Sequence, residues 1–103
     1  MSVVKGKEFN FKKAGKSAEN LIQWEKKFTK LFMSDTWEMS KKIVAYYKKA
    51  NAKEKDKFLK FLAGAVAQQP IIGRRLEHRL ANIFGLNDLI CKKIMDGYMR
   101  YIK

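Results

Sequence analysis

Three arginines, Arg74, Arg75 and Arg79, lie close together in a chain that elsewhere relies almost entirely on lysine for positive charge. A guanidinium presents a planar fork of donors that suits phosphate oxygens or the edge of a guanine, whereas a lysine ammonium acts as a point charge. On a helix, Arg75 and Arg79 stack one turn apart, as do Arg74 and His78. This pattern indicates a surface that binds phosphate groups.

The same residues also fit a simpler interpretation, in which they form a solvated helix face and pair in part with Glu77. A face needed only for solubility could have used lysine, as the rest of the chain does. The use of arginine therefore favours a phosphate-binding role, although the sequence leaves both interpretations open.

The stretch EHRLANIFGLNDLICKKIM fits the general pattern of a helix-turn-helix. Ala81 is small enough for two helices to approach, and Gly85, four positions later, can adopt the positive φ of a tight turn. Apolar residues fall where the two helices would pack together, namely Leu80, Phe84, Leu86, Cys91 and Ile94. Any glycine-capped junction between two helices of a bundle would satisfy about half of this pattern.

In a helix-turn-helix, the first helix crosses the DNA backbone and the second lies in the major groove. We therefore expect the arginines to bind phosphates. Residues of the second helix that could contact base edges or phosphates are Asn87, Lys92 and Lys93. Asp88 and Asp96 count against this geometry, because phosphates repel a carboxylate. We expect Asp88 to serve the helix N-terminus and Asp96 to lie at the rim.

Apolar residues at spacings of three and four predict an all-α fold, a compact bundle of four or five helices. The predicted helices span about residues 18–33, from the SDTWE stretch to near residue 51, from there to before Pro70, from Pro70 to Gly85, and beyond residue 87. Their starts are marked by cap residues or a first-turn proline, namely Ser17, Asp35, Asn51, Pro70 and Asn87.

Residues 1–16 show no helical period, contain two glycines and are rich in lysine. We expect a basic flexible arm over residues 1–16 and a helical domain over residues 17–103. The arm could be a solvated terminus, a segment that orders on nucleic acid, or a short strand that pairs across a dimer. Lys12 and Lys13 are its candidate nucleic-acid contacts.

The net charge of +13 predicts attraction to polyanions, which include nucleic acid, anionic lipid and acidic proteins. The helix-turn-helix pattern favours DNA over RNA, so we expect a non-catalytic DNA-binding protein. The main alternative is a small basic module that binds or inhibits an acidic protein partner. Lysines alternating with aromatic residues also occur in helices that bind membrane surfaces, but a bundle of short helices needs those aromatics for its core.

Catalysis and cofactors have little support in the sequence. His78 and Cys91 are the only histidine and cysteine, and helical spacing places Cys91 on an apolar stripe and His78 outside it. A zinc site would need four ligands at recognisable spacing, so we expect no cofactor and no enzymatic activity. The single cysteine and the absence of a leader pattern indicate a reducing, cytoplasmic environment. The most apolar run is too short to span a membrane.

The C-terminal stretch DGYMRYIK spreads Tyr98, Met99, Tyr101 and Ile102 around more of a helix than one buried stripe can cover. We expect some of this surface to form a homodimer, which would suit binding to two DNA half-sites. The alternative is that Phe9 and Phe11 of the arm fold back over these groups.

Overall fold

Between residues 21 and 99 the described residues form five helices separated by short connections. The computed structural model describes residue 11, residues 21–85 and residues 87–102. The helices are α1 (Leu21–Ser34), α2 (Thr36–Lys49), α3 (Ala52–Gln68), α4 (Pro70–Phe84) and α5 (Leu89–Met99). These described ranges contain no β-strand. The predicted all-α bundle is therefore confirmed.

Side-chain caps fix the starts of α2 and α3 where the sequence places them. Asp35 accepts a hydrogen bond of 3.1 Å from the backbone N–H of Glu38. Asn51 and Glu54 form a reciprocal capping box, with distances of 2.8 and 3.1 Å. These bonds satisfy N–H groups that would otherwise lack a partner at the start of each helix. Pro70 lies in the first turn of α4, where its missing N–H removes no helical hydrogen bond.

The predicted cap of the fifth helix was wrong by one residue. Asp88, not Asn87, caps α5, since its Oδ1 accepts a hydrogen bond of 3.0 Å from the N–H of Cys91. This bond stabilises the charged carboxylate and holds the pKa of Asp88 below its usual range. Asn87 lies in the preceding turn with an exposed side chain. The prediction that Asp88 serves the helix N-terminus is confirmed.

The core is built from aromatic and aliphatic side chains on all five helices. Helix α2 packs on α4, α1 packs on α3, and α3 also contacts α4 and α5. Four phenylalanines are at most 2% exposed and provide much of the buried volume: Phe28, Phe32, Phe58 and Phe61. The aliphatic core residues recur at helical spacing and include Ile43, Leu62, Ile72, Leu76 and Ile94. Among the described residues, no helix has the length and hydropathy to cross a membrane.

Phe11 belongs to this core although the sequence places it in the arm. It has helical backbone geometry and is 7% exposed. Its ring centroid lies 5.2 Å from that of Phe58, 5.4 Å from that of Tyr46 and 6.1 Å from that of Phe28. The other residues of the predicted arm, Lys12 and Lys13 among them, lie outside the described residues, as do Ser17 and Leu86.

Candidate nucleic-acid interface

Helix α4 separates its apolar residues from its basic residues. Ile72, Leu76 and Leu80 are at most 2% exposed and attach the helix to the core. The side chains of Arg74, Arg75 and His78 are exposed, and that of Arg79 is half-buried. The outward direction predicted for the arginines is confirmed.

The basic residues line one side of an open groove between the first turn of α2 and the outer face of α4. The groove has a volume of about 490 Å³ and is lined by Thr36, Arg74, Arg75, His78, Arg79 and Asn82. We call it the arginine groove. Thr36 lines the groove from α2, and its Oγ1 donates a hydrogen bond of 3.0 Å to the carbonyl of Phe32. The packing of α2 on α4 positions the groove.

The positive charge of the arginine groove is not neutralised from within the described part of the chain. The ion pairs between described residues join Glu38 to Lys41 and Asp56 to Lys60, and no carboxylate of a described residue lies within 4.0 Å of a groove arginine. Glu77, the expected partner, faces the opposite flank of α4. The interpretation of the arginines as a face paired with Glu77 therefore has no ion pair to support it.

Trp37 is exposed, although apolar spacing along this helix would place it with the buried residues Ile43, Val44 and Tyr47. Its side chain is 43% exposed, and the guanidinium carbon of Arg79 lies 5.5 Å from the centroid of its ring. This cation–π contact restricts Arg79, the least exposed of the three groove arginines.

The other predicted contacts lie apart from the arginine groove. Lys92 lines a second groove of about 240 Å³ on the opposite flank of α4, where Glu77 and Asp96 contribute two carboxylates. Asn87 and Lys93 are exposed but line neither of these two grooves. The structure thus brings together the arginines and His78. Asn87, Lys92 and Lys93, which lie on α5 or in the turn before it, do not line the arginine groove.

The turn between α4 and α5 has the positive φ that the sequence predicts. Gly85 has φ 98° and ψ 151°, a region that residues other than glycine hardly enter. Around the turn, Leu80, Cys91 and Ile94 are buried and Phe84 is half-buried. These features are those of a glycine-capped junction between two packed helices, and Leu86, another position of the predicted pattern, lies outside the described residues. Recognition of DNA by this junction stays a prediction.

His78 and Cys91 occupy different surroundings. His78 is exposed in the arginine groove, whereas Cys91 is 6% exposed and lines the second groove. Burial, together with a hydrogen bond involving Asp88, raises the pKa of Cys91 to about 12. The thiol therefore stays protonated at neutral pH and is a poor nucleophile. Within the described ranges, no group of three His, Cys, Asp or Glu residues could hold a metal ion.

The C-terminal residues chosen for a dimer contact do not share one environment. Tyr98 is buried, and Ile102 is half-buried against the core. Tyr101 donates a hydrogen bond from its hydroxyl to Asp56, while Met99 is 59% exposed. Only Met99 and Tyr101 of this set keep substantial exposed surface, and the homodimer stays a prediction.

Sequence reasoning missed three residues at the candidate interface: Thr36, Trp37 and Asn82. Asn82 follows His78 by four positions and Arg79 by three, so helical spacing alone could have assigned it to the same face. Thr36 and Trp37 lie on another helix, and their proximity depends on how α2 packs on α4. No local signal in the sequence gives that packing.

Comparison of the chain with protein-family models, with curated proteins and with solved structures gave no match.

Proposed function

We propose that the protein binds nucleic acid without catalysing a reaction, and that the arginine groove contacts the phosphate backbone. The observation that carries this proposal is the convergence of Arg74, Arg75 and Arg79 on one open groove, with no carboxylate partner among the described residues. A phosphate can pair with these guanidinium groups without first breaking an ion pair to a described residue, so binding costs no such interaction. His78 and Asn82 add further hydrogen-bonding groups to the same surface.

The charge of the whole chain supports the same ligand. A net charge of +13 attracts a polyanion over distances comparable to the Debye length and accelerates its association. The arginine groove then supplies the short-range, directional contacts that dispersed lysines do not. Long-range attraction and local contact together suit an extended phosphate backbone.

DNA is the favoured ligand because of the junction between α4 and α5. Its glycine turn and buried apolar residues match the helix-turn-helix pattern, and Lys92 and Lys93 are exposed on α5. Capping by Asp88 gives one of the two aspartates a structural role, which removes part of the electrostatic objection to this geometry. Asp96 stays exposed beside Lys92 and is the remaining unfavourable charge.

The test replaces Arg74, Arg75 and Arg79 together with alanine and measures affinity for several DNA duplexes of unrelated sequence. Phosphate contacts carry no sequence information, so we expect a similar loss on every duplex and an unchanged helical CD spectrum. The matched control replaces three exposed lysines, Lys49, Lys53 and Lys57, with alanine. It removes the same amount of positive charge as the arginine variant. Lys49 lies about 20 Å along α2 from Thr36.

We expect the loss of DNA affinity to depend on where the removed charges lie as well as on how many are removed. The control triple variant should lose much less affinity than the arginine variant, because only the latter removes the groove contacts. Equal losses in the two variants would assign binding to net charge alone, and unchanged affinity in the arginine variant would refute the proposal.

A basic module that binds an acidic protein is the second candidate. Leu89 is 72% exposed, and Lys92 and Lys93 lie three and four positions along the same helix. An exposed apolar side chain flanked by cations is suited to anchoring the protein on the acidic surface of a partner. Failure to bind any nucleic acid at low salt would favour this candidate.

A further inference from the structure

Trp37 places an exposed aromatic ring beside the arginine groove. Trp37 directly follows Thr36 in the sequence, and its ring packs against the guanidinium of Arg79. Both Thr36 and Arg79 line the arginine groove. Even with this contact, 43% of the side chain is exposed. A large indole held at the surface of a basic groove is available to a ligand that combines phosphate with an aromatic group.

Unpaired nucleic acid has this combination of groups. Proteins that bind single strands use a basic groove to follow the backbone and aromatic or arginine side chains on which successive bases stack. The bases of an intact duplex are stacked on one another, so their faces are not accessible to an indole at the protein surface. The groove volume of about 490 Å³ lies within the range of sites that hold small organic ligands.

We propose that Trp37 is a stacking platform for an unpaired base, next to phosphates bound by Arg75 and Arg79. This inference rests on the proposed function and narrows the ligand from nucleic acid in general to nucleic acid with unpaired bases. The arginine groove then binds a single strand, or an unpaired segment within a duplex, more tightly than a fully paired duplex. The recognised chemistry is an unpaired nucleotide, which either DNA or RNA can supply.

The main test compares Trp37→Ala with the unchanged protein on two single strands of about eight nucleotides, a length within the usual site size. One strand carries all its bases, and the other has the same sugar–phosphate backbone without bases. Loss of one stacking contact should weaken binding to the base-containing strand by about 5- to 150-fold. Affinity for the abasic strand should change little.

Two matched variants distinguish the loss of base stacking from a general loss of structure or surface. Trp37→Phe keeps an aromatic face and should retain most of the affinity. Tyr101→Ala removes another partly exposed aromatic ring, which has the ammonium of Lys60 5.5 Å from its centroid. This ring does not line the arginine groove. The Tyr101→Ala variant should leave binding to the base-containing strand unchanged. A CD melt of each variant checks that the fold is retained.

Fluorescence gives a direct signal of stacking. Trp24 and Trp37 are the only tryptophans, so a Trp24→Phe background leaves Trp37 as the sole indole. The base-containing strand should quench its emission, and the abasic strand should not. This measurement does not depend on any change at Trp37 itself.

The outcomes distinguish this inference from the function on which it rests. If Trp37→Ala binds both strands as the unchanged protein does, while the arginine triple variant is weakened, the stacking inference is wrong and the proposed function stands. If the unchanged protein binds no strand and no duplex, the proposed function itself fails. Tighter binding of a deoxyribose strand than of a ribose strand identifies DNA as the source of the nucleotide, and the reverse identifies RNA.

Discussion

The carboxylate of Glu25 on α1 occupies the space that a side chain at Gly64 on α3 would need. Glu25 is only 5% exposed, and its Oε1 accepts a hydrogen bond from the side-chain amide of Gln68. Burial raises the pKa of Glu25, and the hydrogen bond from Gln68 opposes part of that increase. The missing side chain at Gly64 thus allows a carboxyl group to sit between two helices of the core.

Glu25→Gln should make the protein more stable at neutral pH. The folded state holds the carboxyl proton more tightly than the unfolded state, so the free energy of unfolding falls as pH rises from the usual carboxyl pKa of 4.5 through the raised folded value. Glutamine has no proton to lose and can still accept from Gln68. Urea unfolding at a series of pH values should show a benefit near pH 7 that shrinks toward pH 4. A benefit independent of pH would show that burial does not perturb this carboxyl.

Phe11→Ala should destabilise the fold by about 3 kcal/mol, the lower end of the cost of truncating a buried phenylalanine. The reason is its edge-to-face packing on Phe28 and Phe58 and its contact with Tyr46. Phe11→Leu, which keeps most of the apolar volume, should cost much less. Equilibrium denaturation gives both values. An unchanged midpoint for Phe11→Ala would mean that this residue is solvated, as the sequence suggests for the arm.

Gly85→Val should cost about 1 to 3 kcal/mol, because a β-branched residue strongly resists the backbone conformation at this turn. A Cβ at this position meets no atom within 4 Å, so side-chain size contributes little. Gly85→Ala should therefore lose a comparable amount. Thermal melts of the two variants make the comparison. If alanine is tolerated and valine is not, steric crowding rather than φ controls the position.

A homodimer through the C-terminal helix now depends mainly on Met99, since the hydroxyl of Tyr101 is bonded to Asp56. Sedimentation equilibrium at micromolar concentration in high salt should give twice the monomer mass of 12.1 kDa, and Met99→Lys should restore the monomer. High salt suppresses contaminating polyanions. A monomer mass for the unchanged protein would show that the dimer prediction was wrong.

The sequence predicted the helices well because their signals are local. Periodic apolar residues, the Asn51 capping box and Pro70 each act within one or two turns. The burial of Glu25 and Phe11 and the exposure of Trp37 depend on which helices meet, and residues more than 35 positions apart determine that packing. The arginine face could be predicted from spacing on α4, whereas the groove could not, because α2 supplies its other wall.

The salt dependence of DNA binding tests the central claim most directly. The affinity of the unchanged protein and of the Arg74, Arg75 and Arg79 triple alanine variant for one random duplex is measured over a series of salt concentrations. Each phosphate neutralised contributes about −0.9 to the slope of log affinity against log salt. Loss of three groove contacts should therefore make the slope shallower by about 3. Equal slopes for the two proteins would contradict phosphate binding by the arginine groove.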